Sequence, residues 1–443
     1  MQKGLLFRTN NFYILSGIAL YLILFVYWHF PFSIYNALIL LNFAAFAVIV
    51  YRSLLLKDYQ RTTRRLALTV FCFSTIFVSL YMMMSYHYTG NTFIFSEHDA
   101  RLYEELSYRI KDLPKKDIIY YLTVIEGFAY DDWGAPIVMS YLLKIVPAKE
   151  FLNLSFIVLN TISACMLFSI GKSIMSKEYA YTGTLAYSIA SYTMFFMGSF
   201  LKEILLLFMV ISCFYCLYRH KSTKSSRYIV IGLIVSGLIL FFRPVVAFGI
   251  WLSFLTYYIF VEKRKVLVIF FSIFGIFIAY LAFRLIVDNL NRYNSLGEGN
   301  FVTYSVFDRL VFILSALIGP FPHLLKTEEI TFKPLYGSGL MYKLLLFYAF
   351  WKGTLFSIKK KEYDVLPLIA FAVLESVGLI VAIDSLELRK ALPHIPAFIL
   401  VAFWYLYRYD TIHQGKLNKT GKLEFTIYMS VAFLLALAWN TLL

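Results

Sequence analysis

Long apolar stretches separated by polar links recur along this chain from residue 12 to the C-terminus. As helices, stretches of this length cross about 30 Å of hydrocarbon, and only helices or closed barrels satisfy their backbone there. The alternating segments of roughly ten residues that mark a membrane barrel are missing. The pattern predicts thirteen spans, near 12–30, 33–51, 66–86, 151–171, 179–198, 203–218, 228–242, 245–261, 266–287, 336–356, 364–383, 391–407 and 424–442. Two long polar interruptions remain, 87–150 and 288–335. Within the first, Leu102, Leu106 and Ile110 recur at helical spacing over 99–112, and 135–146 is an apolar segment broken by Lys144. Both read as helices at the membrane surface. The apolar run over 305–325 contains Gly319-Pro320-Phe321-Pro322, a helix break that suits an interfacial or re-entrant segment.

Composition agrees. The chain is 60% hydrophobic, 19% aromatic and 15% charged, outside the range of soluble domains. It reads as one all-α, polytopic integral membrane domain over 1–443, with no soluble domain and no internal repeat. The first apolar run lacks a small-residue cleavage site and reads as a retained span. Cys72, Cys165, Cys213 and Cys216 all fall in apolar runs, where packing outweighs a redox or metal role.

Charge fixes the expected orientation. The formal net charge is +15, and the links that alternate with the two long polar loops hold 24 basic residues against 7 acidic ones. Lys and Arg collect on the cytoplasmic side, so 87–150 and 288–335 become outer loops. The first of them holds 10 of the 26 acidic residues. Acids gathered just outside a bilayer, with isolated cations at other outer span ends, point to chemistry on a charged, membrane-borne substrate.

The candidate residues follow from that placement. Asp99, with Glu97 and His98 before it and Tyr103, Glu104 and Glu105 after it, suits a carboxylate that takes a proton from a hydroxyl or binds a divalent cation. A solvated polar loop is the competing reading. Asp131 and Asp132 offer a second acid, or else a helix N-cap and turn. Lys202 and Glu203 stand at an outer span end, either neutralising each other or with Lys202 turned to a lipid phosphate. Arg243-Pro244 and Arg389-Lys390 sit at other outer ends, as phosphate clamps or as snorkelling side chains. Arg309 and His323 are weaker candidates. Glu375, inside a span, suits a helix–helix hydrogen bond. No P-loop, HExxH, GxSxG or GxGxxG motif is present, so nothing points to nucleotide binding or hydride transfer.

Together these residues resemble the GT-C-fold glycosyltransferases that use lipid-phosphate sugars, and especially the bacterial relatives of protein O-mannosyltransferases. Glu97-His98-Asp99-Ala-Arg-Leu-Tyr103 is similar to the acidic motif of that family's first outer loop. Ala135-Pro136-Ile-Val-Met-Ser-Tyr-Leu-Leu resembles the juxtamembrane helix after it. Phe200-Leu201-Lys202-Glu203, Phe242-Arg243-Pro244 and Arg389-Lys390-Ala-Leu-Pro393-His394 resemble polar points at later outer span ends. Two additional spans precede the acidic loop here. The resemblance implies a polyprenyl-phosphate or polyprenyl-diphosphate sugar donor, a glycan, lipid or protein acceptor, and no nucleic acid. It makes Asp99 the general base or the ligand of a divalent cation (Mg or Mn), with inversion at the anomeric carbon. Lys202, Arg243 and Arg389 would stabilise charge on the departing phosphate, and the setting would be a bacterial inner (cytoplasmic) membrane with its site facing outward. An O-antigen or capsular polysaccharide polymerase has similar Phe/Tyr-rich spans, large outer loops and outer arginines. A lipid-sugar flippase would instead place charges near the midplane.

Overall fold

Local stop signals frame the apolar runs. The computed structural model describes residues 34–90, 99–128, 130–263, 340–381, 392–413 and 419–442, with isolated residues between 268 and 280. Among the described residues there is no strand. Helix α1 (Ile34–Leu55) is followed by α2 (Thr63–Thr89). The Thr62 hydroxyl caps α2 by accepting from the Arg65 N–H at 3.2 Å, and Gly90 ends it at φ 68°.

The 87–150 loop folds into α3 (Asp99–Ile110), α4 (Lys115–Tyr120), a π-helical turn over Tyr121–Ile125, a 3-10 turn over Tyr130–Asp132, and α5 (Gly134–Ile145). Both expected loop helices are therefore present within a residue or two of their predicted ends. The buried stripe of α3 differs by one position: Tyr103, Leu106, Ser107 and Ile110 are buried, whereas Leu102 is 37% exposed. Rotating the helix that way turns Tyr103 inward.

Then come α6 (Lys149–Ile174), α7 (Lys177–Ser188), α8 (Ser191–Gly198), α9 (Glu203–Thr223), α10 (Ser226–Ile239) and α11 (Pro244–Tyr257), which a π-helical turn extends to Glu262. The run expected as one span over 179–198 is two helices, broken at Ile189–Ala190. The last four are α12 (Leu340–Lys360), α13 (Leu366–Val381), α14 (Ile395–His413) and α15 (Lys419–Leu442). Four helices are long and apolar enough to cross a membrane among the described residues: Thr63–His87, Lys149–Ile174, Glu203–Thr223 and Pro244–Glu262. The expected span at 12–30 and the loop 288–335 lie outside the described residues.

Helices α7, α8 and α9 form the centre, buried along nearly their whole length. Helices α6, α10 and α14 pack around them. The outer faces of α2 (Leu68, Ile76, Met83) and α10 (Val230, Ile234, Leu238) are exposed and apolar, the surface that lipid tails would cover. Small residues set close approaches: a Cβ on Gly171 of α6 would stand 2.8 Å from Cβ of Ala180 on α7.

The bundle has two chemically distinct ends. At one, Arg61 pairs with Glu178 at 3.2 Å, Lys221 with Asp364 at 2.6 Å and Arg408 with Glu362 at 2.6 Å. We call this the basic end. The 87–150 helices pack on the other, where α5 is anchored by its first residue. The Gly134 N–H donates to the Phe241 carbonyl at 2.9 Å, and a Cβ there would stand 2.3 Å from the Phe242 ring. Gly134→Ala should therefore cost about 1–3 kcal/mol, read as a lowered unfolding temperature in detergent. An unchanged temperature would mean that Phe242 swings aside freely.

Candidate functional site

The link between α8 and α9 builds the site. Phe200, fully buried, takes the left-handed backbone at φ 52°, unusual for an aromatic residue and costly by about 1–2 kcal/mol. Its ring lies 6.5 Å from that of Phe156 on α6. This turn starts α9 with Lys202 as N-cap and Glu203 as first residue. Sequence adjacency suggests that the two neutralise each other, but consecutive residues at a helix start point about 100° apart. Each finds a different partner. Lys202 Nζ pairs with Asp132 Oδ1, and Glu203 Oε1 accepts from Arg243 Nη2 at 3.3 Å.

Asp132 also accepts from the Tyr103 hydroxyl, O to O 2.8 Å. Its expected N-cap role does not appear, because Trp133 is the N-cap of α5 and makes no side-chain cap. Polar contacts thus run from α3 (Tyr103) through the 3-10 turn (Asp132) to the start of α9 (Lys202), and the next residue, Glu203, pairs with Arg243 at the start of α11. Lys202 and Glu203 are buried, and the Arg243 side chain is 18% exposed. Asp99 is the first residue of α3, one turn before Tyr103. Glu375 of α13 is buried and makes no hydrogen bond among the described residues. Its carboxylate lies against Gly249 of α11, within electrostatic reach of Arg243.

An aromatic rim flanks the network. Trp133 stacks on Phe241 at 6.3 Å, and its indole N–H donates to the Phe128 carbonyl at 3.2 Å. Tyr130 meets Trp133 edge-on and Tyr103 lies 6.5 Å from Phe128. Such rings are amphipathic and suit a membrane interface.

Glu104, the next residue on α3, points elsewhere. It pairs with Lys149 at the start of α6 at 2.8 Å. Burial raises its carboxyl above the ordinary value, and the hydrogen-bonded Lys149 ammonium only partly opposes this. Burial likewise raises the nearby Tyr108 phenol, with Glu104 and Glu150 adding to it. A raised native pKa means that the folded state keeps a proton the unfolded chain releases. That contribution is complete below the unfolded value of about 4.3 and is lost as pH rises through the folded one. Glu104→Gln should flatten this fall, seen in unfolding temperature against pH. An unaltered profile would place the titration on another group.

The structure thus brings Tyr103, Asp132, Lys202 and Arg243 together, and sends Glu104 to a separate contact. Asp131 lies on the same 3-10 turn as Asp132. Glu97, His98, Arg309, His323, Arg389 and Lys390 lie outside the described residues. Of the last motif, His394 is buried beside Phe398 on a 3-10 turn that opens α14. Two features escaped the sequence reading: the positive-φ Phe200, and Glu203 as the partner of Arg243. No motif signals either one. Among the described residues, no group of three His, Cys, Asp or Glu is placed to hold a metal ion.

Chemically, the arrangement offers one buried and one partly buried cation at one end of an apolar bundle, each held by a carboxylate. A guanidinium carries five N–H donors in a fork that matches phosphate oxygens, so holding one carboxylate does not exhaust it. Comparison with protein-family models and with curated proteins finds no match to this chain.

Proposed function

We propose that the protein is a membrane glycosyltransferase that moves a sugar from a polyprenyl-phosphate-linked donor to an acceptor hydroxyl. On this reading it crosses a bacterial inner membrane thirteen times. The basic end faces the cytoplasm, and the 87–150 helices face outward. The observation that carries the proposal is the network joining Tyr103, Asp132, Lys202, Glu203 and Arg243. It holds the cations Lys202 and Arg243 at the bundle end opposite most of the basic residues, with Tyr103, one helical turn after Asp99, bonded to the Asp132 that pairs with Lys202.

In this mechanism Asp99 takes the proton of the acceptor hydroxyl as its oxygen attacks the anomeric carbon. The bond to the lipid phosphate breaks, and the phosphate leaves with the electron pair. Arg243 and Lys202 stabilise the charge that develops on it. Asp132 and Glu203 hold the two cations in place before the donor arrives, which lowers the cost of ordering them. Arg389 and Lys390 are proposed to complete the clamp. The aromatic rim around Trp133 would border the sugar.

The test is a gel and mass profile of envelope glycans from a deletion strain, with and without the wild-type gene. An otherwise intact polysaccharide ladder that lacks one sugar, restored on complementation, supports the transferase. Collapse to single repeat units would instead identify a polymerase of diphosphate-linked units. An unchanged profile would reject both and favour transport.

A further inference from the structure

A second polar concavity lies at the opposite end of the bundle, between the last turns of α6 and α9. It measures about 240 Å³, below the roughly 300–1,000 Å³ of sites for drug-sized ligands and suited to a headgroup. Ser169 and Lys172 line it from α6, and Tyr215, Arg219 and Ser222 from α9. The Arg219 guanidinium is bracketed by two rings, 5.9 Å from Tyr215 and 5.8 Å from Tyr228 of α10. These rings hold it in place. Its Nε is buried without a hydrogen-bond partner among the described residues.

Beside it, Lys221 pairs with Asp364 and Lys224 reaches Glu262 at 3.5 Å, a carboxylate that the His220 ring also meets at 3.2 Å. Lys172 and Arg219 make no ion pair among the described residues. The carbonyl ends of α6 and α9 contribute about half a negative charge each. Two full positive charges exceed that, so the concavity is net positive.

We propose that this concavity binds a phosphate oxyanion, that of an anionic phospholipid headgroup. Arg219 supplies the fork of donors, and Lys172, whose ammonium lies 4.8 Å over the Phe168 ring, supplies a second charge. A basic pocket between spanning helices is a recognised way to hold such a headgroup. Binding would tie α6 to α9, the two helices whose other ends carry Lys149 and Lys202.

The experiment is thermal unfolding of the full chain in detergent, titrated with phosphatidylglycerol, phosphatidylcholine or inorganic phosphate. Phosphatidylglycerol should raise the unfolding temperature saturably, and phosphatidylcholine should not. At about 1 kcal/mol per basic residue, the double substitution Lys172→Gln/Arg219→Gln should weaken the apparent affinity about 30-fold. An equal response to both lipids, or an undiminished response in the double variant, overturns the site. If inorganic phosphate alone gives the whole Lys172- and Arg219-dependent shift, the ligand is a free anion and the lipid assignment falls. Should the double variant fail to fold, the wild-type comparison of the two lipids still decides.

Discussion

Arg243→Met is expected to destabilise the protein by about 3–5 kcal/mol, the usual cost of removing one member of a buried ion pair. Glu203 is 1% exposed and accepts from Arg243, so the substitution removes a cation from beside a carboxylate inside the bundle. Burial, more than the strength of the pair, sets the size of the loss. Adding Glu203→Gln removes the charge that Arg243 faced, so the double variant should regain much of the stability. A double-mutant cycle of unfolding free energies in mixed micelles measures this coupling. A single-variant loss below about 1 kcal/mol, with no coupling, would mean that Arg243 behaves as an exposed, snorkelling side chain.

Asp99→Asn should lower sugar transfer by about 10²–10⁴-fold, the usual contribution of a positioned general base. The amide keeps the shape of the side chain and cannot take the acceptor proton. Transfer from a polyprenyl-phosphate sugar in reconstituted vesicles reads the loss, and unfolding temperature checks that the fold is kept. Asp132→Asn makes an instructive contrast. Asp132 is held by Lys202 and Tyr103, so its substitution should disturb stability and activity together. Near-normal transfer by the Asp99 variant would remove it as the base and leave Asp132 as the remaining acid of the described site.

How far the sequence foretold this arrangement depended on whether the signal was local. Helices 99–110 and 134–145 were visible from spacing, since apolar periodicity needs no knowledge of partners. The break at Ile189–Ala190 was not, because neither proline nor glycine marks it and no charged residue interrupts 179–198. Tyr103 stood in the acidic motif, but the predicted stripe placed Leu102 inward where Tyr103 takes that position, while Leu106 and Ile110 are buried as expected. Lys202 and Glu203 were recognised as a polar point, read either as neutralising each other or with Lys202 turned to a lipid phosphate. Their actual partners lie 70 residues before and 40 residues after them. Nothing in a linear pattern specifies contacts of that range.

Those separations have a consequence for how the protein is made. Asp132 leaves the ribosome 70 residues before Lys202, and Arg243 follows Glu203 by another 40. At roughly 5–20 residues per second, the acidic helices wait on the order of ten seconds for the last member of their network. The anchor of Gly134 on the Phe241 carbonyl matures at the same moment. Until the α10–α11 hairpin enters the bilayer, α5 lacks its anchor on the Phe241 carbonyl and Glu203 lacks its contact with Arg243. Chains stopped just short of residue 240 should therefore be cleared faster by membrane quality-control proteases than chains stopped just beyond α11.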